Sequence, residues 1–184
     1  MPIGCCISWM DDELLNVVDR RDRVIAHRRR AEVHRLGLLH QAAHVLLFNR
    51  KGEVFLQKRS LTKDNNPGLW DSSASGHVDA GEGYDACALR EVEEELGVRL
   101  VQRPQRLFKL PACEMTGMEF CQVYRALHDG PFRLNMQEIE TGRWICPEAL
   151  DAWLDGGGGG LTETLKAIWR RLRDEPPENH TTGR

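Results

Sequence analysis

The apolar positions fall into short runs of two kinds, alternating and helical. Residues 13–18 (ELLNVV) and 23–27 (RVIAH) predict two short strands around a charged turn. Residues 29–36 predict one or two helical turns, stopped by Gly37. The mostly apolar run 41–48 (QAAHVLLF) predicts a buried strand. Asn49-Arg50-Lys51-Gly52 is a hairpin turn signal, and 53–58 (EVFLQK) is the returning strand. Asn65-Asn66-Pro67-Gly68 predicts a loop. Strands are expected again at 105–110, 118–126 and 143–146, and Pro147 opens a short helix (PEALDAWL) as a first-turn proline. Over 162–173, Leu165, Ile168, Trp169 and Leu172 share one side of an amphipathic helix. The glycines 156–160 have no Lys-Ser/Thr after them, so they read as a flexible connector and not as a phosphate loop.

Residues 76–98, GHVDAGEGYDACALREVEEELGV, carry the chemistry. Ala86, Leu89, Val92 and Leu96 recur at three or four residues, which makes a helix with one apolar stripe, and Gly97 supplies a left-handed stop. Glu91 and Glu95 are four apart and Glu94 is three from Glu91, so all three are expected on one region of the helix, turned away from the stripe. Like charges at that spacing repel by a few tenths of a kcal/mol per pair. Carboxylates converging over one turn are hard oxygen ligands, suited to Mg²⁺ or Mn²⁺.

Composition narrows the setting. The 184 residues suffice for one domain, expected over 11–174, between an N-terminal tail at 1–10 and a disordered tail at 175–184. An apolar fraction of 41% argues against disorder in the bulk of the chain. No apolar run approaches the ~20 residues of a membrane span, and the apolar start has no basic region before it, so no signal peptide is expected. The net charge is −3, and residues 11–40 carry seven Arg against six acids, a mixed surface that argues against a nucleic-acid polymer as partner. The six Cys show no C-x-x-C pair, so free thiols in a reducing cytoplasm are expected. Cys87, Cys121 and Cys146 sit within apolar patterns and read as small core residues.

Gly76, five residues, Glu82, seven residues, then Arg90-Glu91-Val92-x-Glu94-Glu95-x-Gly97-Val98 is the complete Nudix box, and the chain resembles the Nudix hydrolases. That resemblance implies an α/β fold, an α/β/α sandwich with a central mixed β-sheet. It implies Glu91, Glu94 and Glu95 as metal ligands with the Gly76 carbonyl, and an Arg90–Glu82 pair holding the helix against its loop. The implied reaction is Mg²⁺-dependent (or Mn²⁺-dependent) attack of water on a small-molecule pyrophosphate. A carboxylate outside the box would take the proton; Glu138 is the candidate and Glu140 the runner-up. Relatives of this kind are commonly dimers, so a homodimer is kept open.

Residues 13–100 further resemble the isopentenyl-diphosphate-isomerase-like branch, through DELLNVVD, HRLGLLHQAAHVLLFN, GEVFLQKRSLTKD and PGLWDSSASGHVDAGE. The isomerases need a cysteine where this chain has Ser75, and they carry a basic residue in place of Glu91. Their second acid is matched by Glu119, but its companion is replaced by Gly117. Two histidines of their metal site match His40 and His77, and a third matches His34 one residue out of step. Arg59 and Lys63 match residues that hold the diphosphate in that branch, and His40 and His77 are candidates to line the pocket. Trp70 is a candidate base-stacking residue or a core anchor. Hydrolase is therefore expected over isomerase, with a non-catalytic ligand sensor as a third reading.

Overall fold

The structure, a computed structural model, describes residues 13–175. The expected tails, together with Cys5 and Cys6, lie outside the described residues except for Glu175, which follows the last helix. Nine strands and four α-helices are present in the described part. They run β1 Leu14–Val18, β2 Val24–Arg29, α1 Arg30–Leu36, β3 His40–Phe48, β4 Val54–Arg59, β5 Trp70–Asp71, β6 Ala74–His77 and α2 Tyr84–Leu96. After these come β7 Gln105–Leu110, β8 Glu119–Leu127, β9 Ile139–Ile145, α3 Pro147–Asp155 and α4 Glu163–Asp174.

β3 is the axis of the sheet, and all nine of its residues are buried. It pairs in parallel with β8 from His40↔Glu119 to Phe48↔Leu127, and antiparallel with β6 from Ala42↔His77 to Val45↔Ala74. Because successive side chains alternate faces, Ala42, Leu46 and Phe48 pack with Leu150, Leu154, Leu165, Ile168 and Trp169 of α3 and α4. Ala43, Val45 and Leu47 pack on the other face with Cys87, Ala88, Val92 and Leu96 of α2. The result is an α/β/α sandwich around a mixed sheet, as an uninterrupted apolar strand buried on both faces requires. The hairpin β1–β2 adds to the sheet through Val17↔His40.

Several expectations need correction. The strand placed at 143–146 starts four residues earlier, at Ile139, and pairs with β4 as far as Arg59↔Ile139. Its first residues, Glu140, Thr141 and Gly142, are exposed or half-buried, so no apolar alternation marks them. β5 and β6 had no periodic signal because their segment, WDSSASGH, is small and polar; its backbone pairing and not its side chains makes it sheet. Cys87 and Cys121 are core residues, but Cys146 is exposed at the N-cap of α3. The glycine run is tied down: Trp70 N donates to Gly160 O at 2.8 Å, Trp153 Nε1 to Gly159 O at 2.9 Å, and Gly158 N to Trp153 O at 2.9 Å. Gly157, Gly158 and Gly160 have φ of 99°, 60° and 81°, which is why glycine fills this tight connection.

Candidate active site

β6 delivers Gly76 to the edge of α2, and the contact between them sets the site. A Cβ at Gly76 would lie 2.0 Å from Glu91 Oε1, so only glycine leaves room for that carboxylate. One turn on, Glu95 Oε2 accepts from Ser75 N at 3.0 Å and from Gln57 Nε2 at 2.9 Å. Glu91 and Glu95 are therefore buried, 8% and 3% exposed, and not turned away from the apolar stripe as expected; only Glu94 points outward. The geometry follows from the helical period: residues four apart lie nearly in line, so Glu91 fills the gap above Gly76 while Glu95, one turn on, meets Ser75 N and Gln57 beside the stripe.

Arg90 holds this arrangement. Its Nε and one terminal nitrogen donate to the two oxygens of Glu82 at 3.0 and 2.9 Å, a bidentate pair. The same guanidinium reaches Glu91 at 2.7 Å, Glu94 at 3.1 Å and the His77 carbonyl at 3.0 Å. Burial pushes the Glu91 carboxyl up to about 7, and Glu94 adds to it, although Arg90 works the other way. Burial likewise raises Glu95, and the Glu91 charge raises it further. Two buried carboxylates one helical turn apart, one of them in a cradle too tight for a methyl group, could serve as donors to a hard divalent cation.

A cavity of about 960 Å³ opens from these acids, and Glu94, Arg59, Lys63, His77 and Glu138 all line it. Ten acids line it against four Arg and Lys residues. Arg59 lies 3.6 Å from Asp71, which is buried and also accepts from Thr162 Oγ1 at 3.1 Å. Lys63 donates to the Glu138 carboxylate. The structure leaves three candidates elsewhere. Glu140 is exposed and pairs with Lys58 at 2.9 Å, because strand alternation turns it away. His40 is 1% exposed, and its Nδ1 lies 2.9 Å from the Leu38 carbonyl, so it stands behind the wall and does not line it. Trp70 packs edge-on against Trp153 with Arg143 4.5 Å over its ring, a core anchor outside the cavity.

Sequence reading underrated one group. His34, His40 and His77 converge, with ring centroids 5.0–5.2 Å apart, and ligand atoms of all three lie within 4.8 Å of one another. His40 and His77 face Glu119 Oε1 at 3.5 and 3.2 Å. Burial pushes Glu119 up, but the hydrogen bonds from His40 and His77 outweigh it and hold its carboxyl below the ordinary range. Burial, with the neighbouring imidazoles, lowers His34 to about 4. The single-residue offset of His34 is absorbed by α1, whose turn aims the ring back at β3. Gln57 was also missed; a glutamine buried inside β4 was its only sequence signal.

The NUDIX domain family matches over residues 38–167, which takes in β3 through the first turn of α4. The chain belongs to the Nudix hydrolase family. An uncharacterised Nudix hydrolase of Pseudomonas aeruginosa is 41% identical over 141 residues, 75% of this chain and 81% of that protein. An isopentenyl-diphosphate Delta-isomerase of Photorhabdus laumondii is 29% identical over 88% of this chain and 99% of its own length. Among solved structures, DR0079 of Deinococcus radiodurans superposes with a TM-score of 0.76 at 30% identity, covering 86% of this chain and 98% of that one. The Nudix box thus occupies the β6–α2 junction, and its acids face the cavity.

Proposed function

We propose that the protein hydrolyses a pyrophosphate linkage in a nucleoside diphosphate derivative or a related organic pyrophosphate, with Mg²⁺ or Mn²⁺. The observation that carries this reading is the pair of buried carboxylates, Glu91 and Glu95, against the side-chain-free edge of Gly76. Together with Glu94 and the Gly76 carbonyl they would hold the ion. When bound, the ion neutralises phosphate charge and lowers the pKa of water. An anionic substrate needs such compensation in a cavity where acids outnumber Arg and Lys by ten to four.

The chain's own residues do the rest. Arg90, braced by Glu82, fixes the directions of Glu91 and Glu94. Arg59 and Lys63 meet the phosphate oxygens, and His77 lines the same cavity beside Glu119. Glu138 accepts the proton of the attacking water. The new P–O bond forms to that oxygen, the bridging P–O bond breaks, and the second phosphate leaves as an oxyanion. The free thiols of Cys87, Cys113, Cys121 and Cys146 suit a cytoplasmic setting, and no described helix is long and apolar enough to cross a membrane.

The histidine cluster favours a second reading, an isomerase of allylic diphosphates. His34 Nε2 is buried without a hydrogen-bond partner and His40 Nε2 has only the Glu119 carboxylate, at 3.5 Å, which suits a metal ligand set. Against it, Ser75 stands where the isomerases use a cysteine, and a hydroxyl is far less acidic than a thiol. One experiment separates the readings. The protein is incubated with Mg²⁺ and a panel of nucleoside diphosphate derivatives, and phosphate is assayed after a phosphatase step. Release that vanishes in Glu95→Gln is expected; conversion of isopentenyl diphosphate to its dimethylallyl isomer with no release would reverse the ranking.

A further inference from the structure

All four Arg and Lys side chains on the cavity wall are already engaged. Arg30 lies between Glu13 and Asp64, at 3.6 and 3.3 Å. Arg59 is held by Asp71 and by the Asn65 carbonyl, at 3.6 and 3.2 Å. Arg90 is committed to the box. Lys63 differs, because its ammonium meets one carboxylate, Glu138, and an ammonium has three donors on a flexible stem. Both partners are largely sheltered, 15% and 18% exposed, so the pair is partly screened from bulk water, with the buried Glu95 close by.

Their backbones are locked independently of that contact. Ser60 N donates to Glu138 O at 2.8 Å and Lys63 N to Ser60 O at 3.2 Å. Glu138 N donates to Asn135 O, and Asn135 N to Glu95 O on α2, both at 2.9 Å. The side chains can therefore part without moving the chain, and Glu138 stays registered to the end of the box helix. A diphosphate presents more charge and more acceptor oxygens than one carboxylate and competes for the ammonium.

We infer that Lys63–Glu138 is an exchangeable pair: the arriving diphosphate takes the ammonium, and the released carboxylate accepts the proton of water only when substrate is seated. This rests on the hydrolase reading above and adds to it. In the free protein the base is masked; in the complex the same cation that grips substrate has uncovered it.

The test is a double-mutant cycle on binding, which does not depend on turnover. Methylenediphosphonate, with Mg²⁺, is titrated calorimetrically into the full chain, Glu138→Gln, Lys63→Met and the double variant, each checked for a folded melting transition. Exchange predicts that Glu138→Gln binds the probe about two- to fivefold tighter, the scale of one surface-sheltered ion pair, while its turnover falls. Lys63→Met binds more weakly, and adding Glu138→Gln to it restores nothing. Should Glu138→Gln not fold, Glu138→Ala carries the same expectation. Unchanged or weaker binding by Glu138→Gln overturns the exchange. So does equal tightening in the Lys63→Met background, which would be loss of a general repulsion. Absence of binding by all four proteins also overturns it. Hydrolysis by the wild type with no tightening sinks the exchange alone, whereas neither hydrolysis nor probe binding sinks the hydrolase reading with it.

Discussion

Single side chains decide whether the box works, and their effects on stability and on activity run in opposite directions. Glu95 is buried beside Glu91 with two neutral donors for support, so in the absence of metal its charge is a cost. Glu95→Gln is expected to raise the melting temperature of metal-free protein while lowering phosphate release by a factor on the order of 10² to 10³. Paired melting curves and phosphate assays check this; a variant that loses both together would mean that Glu95 serves the fold. Gly76→Ala works the other way. Its methyl would fall on the Glu91 carboxylate, and a destabilisation of about 1–3 kcal/mol is expected from the overlap, read by denaturant unfolding.

At the scale of elements, α2 with β6 forms a unit whose stability depends on pH. Glu91 has its carboxyl raised to about 7 by burial, whereas unfolded it returns towards 4.5. Between these values the folded state holds the proton more tightly, so this contribution is full below about 4.5 and is lost as pH rises through about 7. His34, lowered to about 4 by burial, acts oppositely: its contribution is full above 6.5 and is lost as pH falls towards 4. Comparing wild type with Glu91→Gln, both metal-free, isolates the first effect. The wild type is expected to lose melting temperature relative to the variant between pH 5 and 8, and Mg²⁺ to restore it. The same unit shows what was legible in sequence. The helix, its stop at Gly97 and the identity of the acids follow from spacing alone. That Glu91 and Glu95 point inward does not, since it depends on other elements: the missing Cβ of Gly76 for Glu91, and Ser75 N and Gln57 for Glu95. The pairing of Lys63 with Glu138, 75 residues apart, likewise exists only once β4 and β9 are side by side.

Across the whole molecule, Asp22 adds a polar clasp to the pairing and apolar packing that hold the β1–β2 hairpin to the rest. This residue sits at φ 61° in the turn, and its carboxylate receives Tyr84 Oη at 2.9 Å, Gln41 Nε2 at 2.7 Å and the Lys109 ammonium. Asp22→Ala would remove the acceptor these donors share, at a cost of about 1–2 kcal/mol, and hydrogen exchange should rise first in residues 14–29. Chain-wide pattern reading recovered most of the layers because the central strand β3 is one apolar run and the helices carry apolar stripes. It failed where polar backbone was recruited by neighbours, as in β5 and β6. The parallel pairing of β3 with β8 bears on how the protein is made. Glu119 reaches His40 across roughly 80 intervening residues, a distant closure of the kind that slows folding. The acids of the box are joined to the chain before β8 is synthesised. A messenger truncated upstream of β8 would therefore yield a polypeptide with the signature intact but without the strand that brings Glu119 to the cavity wall.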